Sequence, residues 1–152
     1  MKLLIFLFFL PITCWSQDGA AIVDGKAFEW KFKETIEGAD FHTDLYTMYI
    51  NKARLPQGYC INLERSVFAN TQSFSGKKYL IKRYAISIPL GGFEFEGGQY
   101  AIRQSEDDRF LLYDSFKYEI DWRMGEHIFE TNSETEAIRY LIKHAITKTY
   151  GK

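Results

Sequence analysis

Glu94 and Glu96, two residues apart in a segment rich in alternating rings, are the side chains of this sequence best suited to chemistry. On an extended strand, alternate residues leave the same face about 6.5–7 Å apart. That spacing overlaps the separation of the two carboxylates that glycoside hydrolysis needs. The strand registration argued below puts Ser87 and Arg103 on the same face, so Glu94, Glu96, Ser87 and Arg103 together form a polar patch. A solvated strand produces the same pattern and is far commoner. The four residues are therefore read as a binding patch, with no catalytic residue assigned.

Other reactive types give weaker signals. His42, His127 and His144 fall into no metal-binding spacing. His42 lies near Asp44 and His127 follows Glu126, so either could form a His–carboxylate pair if folding joined them. His144 sits where a helix would end, which suits a partly charged imidazole. Glu106, Asp107 and Asp108 could hold a weak Ca²⁺, yet the Gly and ligand spacing of an EF-hand is missing and a polar hairpin tip explains them better. No P-loop, dinucleotide fingerprint, nucleophile elbow or zincin motif is present. No cofactor and no metal site is expected.

The amino-terminal residues carry an address. Lys2 precedes the apolar run Leu3–Leu10, Pro11 breaks it, and small or modest side chains, Cys14 and Ser16 among them, follow up to Ser16. This is the order of a secretory signal peptide, and the run is too short for the roughly 20 apolar residues a membrane span requires. Ser16 and Cys14 fit the small positions before the cut, so the exported chain begins at Gln17. The junction resembles bacterial export signals ending in Ser-Gln, after which the new terminal Gln can cyclise. A lipid anchor on Cys14 fits less well, because Pro11 and Thr13 stand where that signal needs an aliphatic and a small residue. Removal of residues 1–16 leaves Cys60 as the only thiol, on the more polar face with Asn62 and Glu64 and with no internal disulfide partner. The product is periplasmic or secreted.

Composition narrows the class. Residues 17–152 have the length of one domain. Lys2 is the leader's one charge, so the remainder holds 20 acidic residues against one fewer than the chain's 19 basic ones, a formal charge of −2. That balance gives no attraction toward nucleic acid. The chain has 13 Phe, 10 Tyr and 3 Trp, all but Phe6, Phe8, Phe9 and Trp15 beyond the leader. Rings at alternating positions suit half-buried strands.

The elements follow from that alternation. Tyr84, Ile86, Ile88 and Leu90 alternate up to Gly91-Gly92, and Phe93 and Phe95 resume beyond. Two-residue turns at Gly91-Gly92 and Gly97-Gly98, then a four-residue loop at Ser105–Asp108, set Ile88 opposite Phe95, Phe95 opposite Tyr100, Ile102 opposite Leu111 and Tyr100 opposite Tyr113. Tyr84, Phe93, Phe95, Tyr100 and Tyr113 then share one face, and Glu94 and Glu96 take the other with Phe110 and Leu112. Further strands are expected around Phe28–Phe32, Leu45–Ile50, Tyr59–Phe68, Phe116–Trp122 and Ile128–Phe129. Ser133 and Glu136 form a capping box. Ile138, Leu141, Ile142, Ala145 and Ile146 then make one apolar helical stripe.

The expected fold class is α+β: an antiparallel meander of about six to eight strands, strongly curved or barrel-like, packed against one C-terminal amphipathic helix. The function these features favour is that of a small exported non-enzymatic binding protein. Its partner would be another protein or an extracellular or envelope glycan, as in inhibitor or immunity proteins, with Tyr46, Tyr49, Tyr59 and Tyr79 as uncommitted contact rings. The alternatives are a secreted carbohydrate-active hydrolase using paired carboxylates, and a barrel-like carrier with a lipid in its interior.

Overall fold

A computed structural model describes residues 17–91, 94–114 and 125–151. The strands are β1 (Gly19–Val23), β2 (Lys26–Glu37), β3 (Phe41–Ile50), β4 (Ala53–Arg54), β5 (Cys60–Ser66), β6 (Asn70–Phe74), β7 (Lys77–Gly91), β8 (Glu94–Ser105), β9 (Phe110–Asp114) and β10 (Glu126–Thr131), followed by α1 (Glu134–Tyr150). All belong to one antiparallel sheet in the order β1-β2-β3-β5-β7-β8-β9-β10, with β4 beside β3 and β6 beside β7. The helix touches β1 and β10, the two ends of that order, as well as β7, β8 and β9. The sheet is thus curled into a half-barrel around α1, as the α+β expectation required.

Local chemistry sets the hairpins. Asp24-Gly25, Asn51-Lys52 and Ser75-Gly76 each place two successive residues at positive φ. This is the turn whose twist matches that of paired strands, and it joins Val23 to Lys26, Ile50 to Ala53 and Phe74 to Lys77 across their ladders. In α1, the Ser133 hydroxyl accepts the Glu136 N–H at 3.3 Å. Glu136 does not return the bond to residue 133; its carboxylate accepts from Thr131 Oγ1 at 2.8 Å instead. Ile138, Leu141, Ile142, Ala145 and Ile146 are all buried. They pack against Trp30, Tyr46, Tyr84, Ile86, Ile88, Tyr100, Ile102 and Leu112 on the concave side. Each fully buried Leu or Ile of the stripe contributes about 1.5–3 kcal/mol.

The meander differs from its expected registration at two points. Gly97 and Gly98 do not turn; they run extended opposite Ser87 and Ile86, and neither has a positive φ. The need for glycine at 98 is steric, since a Cβ there would come within 2.8 Å of the Tyr100 ring. β7 and β8 therefore form one long pair in which Ile88 faces Glu96 and Tyr84 faces Tyr100, with a register shift between Pro89 and Gly91. Gly92 and Phe93 lie outside the described residues. At the next hairpin the Ser105 N–H bonds to the Arg109 carbonyl at 2.9 Å, leaving Glu106, Asp107 and Asp108 as a three-residue loop with Asp108 at φ 57°. One residue fewer moves β9 by one step. Ile102 opposes Leu112 and Tyr100 opposes Asp114, so Phe110 and Leu112 enter the core. Phe95 goes to the outside, 42% exposed. The expected strand Phe116–Trp122 falls outside the described residues.

Candidate functional site

The register separates the four residues of the expected patch. Glu94 and Glu96 share their side of β8 with Tyr100 and Ile102, the helix-covered side, because side chains alternate along a strand. Ser87 and Arg103 have the opposite parity and point to the outer face. Glu96 lines a pocket of about 250 Å³ between β8 and the end of α1, with Gly98, Tyr100, Ala145, Lys148 and Thr149. Two carboxylates and an arginine on one face is thus corrected to two separate neighbourhoods.

Arg103 is the centre of the first. Its guanidinium lies 4.4 Å from the ring centroid of Tyr79, 5.3 Å from that of Tyr113 and 5.6 Å from that of Phe74. Beneath these groups Ile81 and Ala101 are buried as a small second core packed by Phe74 and Tyr113. Cation–π contact holds the planar guanidinium in place. Burial raises the pKa of the Tyr113 hydroxyl, with the nearby Arg103 charge acting against the rise, so the ring keeps a neutral donor at physiological pH. Beside this stack opens a cleft of about 440 Å³, lined among others by Lys77, Tyr79, Ser105, Arg109, Leu111 and Glu130. Arg109 and Glu130 form an ion pair across it, and His127 rests against Tyr113, ring centroids 5.3 Å apart.

The second neighbourhood was not foreseen from the sequence. Asp114, 8% exposed at the end of β9, accepts from His144 Nε2 at 3.0 Å and from Lys148 Nζ. His144 and Lys148 are one helical turn apart on α1, so a single carboxylate holds both. The imidazole meets Tyr100 edge-on with centroids 5.8 Å apart and stacks on Tyr140 at 6.2 Å. Burial, with the Asp114 charge adding to it, pushes the Tyr100 hydroxyl far above its usual range. A carboxylate that orients an imidazole is half of an acid–base dyad; the same bonds also fasten the helix to the sheet. The i, i+4 pair His144/Lys148 on the edge of the apolar stripe was the one sequence signal for this cluster. Among the described residues Asp44 is taken by partners other than His42: it accepts from Thr35 Oγ1 at 2.6 Å and Arg65 Nε at 3.0 Å.

The remaining candidates resolve simply. Asp107 accepts from Ser105 Oγ and Asp108 from Gln104 Nε2, and no group of three or more candidate metal ligands converges among the described residues. Cys60 is half-buried, a free thiol on the outer side of β5. Tyr46 is fully buried and donates to Gln17 Oε1, so it is no contact ring. Tyr49 lies under the Lys31 ammonium. No helix among the described residues is long and apolar enough to cross a membrane. Compared with known protein families, curated proteins and solved structures, the chain matches none.

Proposed function

We propose that this chain is a small exported binding protein that engages another protein through the outer face around Arg103. The observation that carries this reading is the guanidinium held against Tyr79, Tyr113 and Phe74 beside an open cleft. Arg and Tyr fixed in one geometry are the residue types that dominate protein interfaces, because little side-chain freedom remains to be lost on binding. Salt-bridged Arg109 and Glu130 at the cleft supply the polar rim such surfaces carry. The test immobilises the exported protein and its Arg103→Ala variant side by side against envelope extract and a polysaccharide array. A protein retained by the parent and weakened by about tenfold or more in Arg103→Ala supports the reading. Retention only of a polysaccharide moves the partner to a glycan, and retention unaffected by Arg103→Ala removes the outer face from the account.

The second reading, a hydrolase, is favoured by the Asp114–His144 pair beside the pocket that Glu96 lines. Hydrolysis of a polysaccharide by the parent, abolished in Asp114→Asn and Glu96→Gln with the fold intact, would establish it. The lipid-carrier reading has less support, since Trp30, Tyr46, Tyr84, Leu141 and Ile142 fill the concave side.

A further inference from the structure

Gln17 is fastened to the core at two points. Its main-chain carbonyl accepts from Trp30 Nε1 at 2.8 Å and its side-chain Oε1 accepts from the Tyr46 hydroxyl. Both donors belong to buried side chains, Trp30 at 2% and Tyr46 at 0% exposure. The next residue is held as firmly: Asp18 Oδ1 accepts the Phe32 N–H at 2.6 Å and its carbonyl accepts from Arg139 Nε at 3.0 Å. Gly19 then pairs with Trp30 so closely that a Cβ would lie 2.3 Å from the indole. The fold thus grips the chain at the first residue beyond the expected leader cut.

An amino-terminal glutamine can cyclise. Its α-amine attacks the side-chain amide carbon, a new C–N amide bond forms, the bond to the side-chain nitrogen breaks, and ammonia leaves. The product keeps the former side-chain carbonyl and the main-chain carbonyl. Those are the two oxygens that Trp30 and Tyr46 address. What cyclisation removes is the side-chain NH₂ and the basicity of the α-amine, which ordinarily ionises near pH 8. A neutral end is also easier than a charged one to seat against the indole and phenol of the core.

We infer that Gln17 is a modification site: the exported chain ends in a pyroglutamyl lactam seated on Trp30 and Tyr46, which closes the β1 end of the half-barrel and shields it from aminopeptidases. This rests on the export reading. The test expresses the full chain in an exporting host and determines the mass and terminal peptide of the product. A chain starting at residue 17 and lighter by one ammonia is expected. A start at Gln17 with a free amine overturns the inference and leaves export standing, whereas a start elsewhere overturns the cut itself. Pyroglutamyl peptidase then probes the seat. Release of the lactam should be at least about tenfold slower from the folded protein than after denaturation, as for any group that must first detach from the fold. Equal rates would show a lactam that is not seated.

Discussion

Tyr84 and Tyr79 stand five residues apart on β7 and meet opposite fates. Tyr84 points into the concave side, 2% exposed beneath α1, and burial, assisted by the Glu134 charge, holds its hydroxyl pKa far above normal. Tyr79 points outward and half-buried, with the Arg103 guanidinium over its ring. The arginines divide in the same way. Arg65 on the concave side is paired with the buried Asp44 at 3.0 Å, while Arg103 on the outer side lies among rings. The same residue types therefore serve the fold where the helix covers them and form a ready-made contact surface where it does not. Sheet parity separates the two roles more sharply than residue type does.

Alkaline titration should act on the concave side most strongly. Burial raises the hydroxyl pKa of Tyr46, Tyr84 and Tyr100, whereas in the unfolded chain tyrosine ionises near pH 10. A raised folded pKa means the stabilisation is fully present below pH 10 and is lost as pH rises above it. Each buried tyrosine adds a slope of about 1.4 kcal/mol per pH unit, roughly 4 kcal/mol per unit for the three together. Denaturant melts between pH 8 and 11 read this directly, and a flat profile would mean that the rings are solvated. Leu141→Ala, at the centre of the stripe, should cost about 2–5 kcal/mol in the same melts. Asp114→Ala should cost less, about 1–3 kcal/mol, because His144 and Lys148 are 22% and 48% exposed at their side chains and can turn to water. Hydrogen exchange should quicken in the last turns of α1 in that variant. Arg103→Ala should be the mildest for stability, about 1 kcal/mol or less, with its main effect on partner binding. A stability loss as large as that of Leu141→Ala would make Arg103 a core residue and erase the contrast.

The helix could be read almost completely from its period and cap, because an apolar stripe at 3.6-residue spacing has one way to be buried. The meander could not, and the reason is specific. Asp24-Gly25 and Ser75-Gly76 carry the chemistry of two-residue turns, but Gly97-Gly98 shows the same local signal for a different cause, the passage of Tyr100 over Gly98. At the next hairpin, three residues rather than four separate the strands. A strand's period is two, so a single residue exchanges its faces. That single step brings Phe110 and Leu112 into the core, while the straight run through Gly97-Gly98, where the local signal predicts a turn, puts Glu96 and Arg103 on opposite faces. Asp114 with His144 and Lys148 depends on contacts more than 25 residues apart in sequence, beyond the reach of any local pattern.

Thiol labelling of the folded protein tests the division between the two faces most directly. Cys60, half-buried on the outer side of β5, has Leu63 at 0% exposure three residues on and on the concave side. In a folded chain that starts at residue 17, Cys60 should react with a maleimide without unfolding. A Cys60→Ala, Leu63→Cys variant should react slower by on the order of a thousandfold, through global opening alone. Comparable rates for the two thiols under native conditions would contradict the account, since the side assigned to the helix would then be as open as the other.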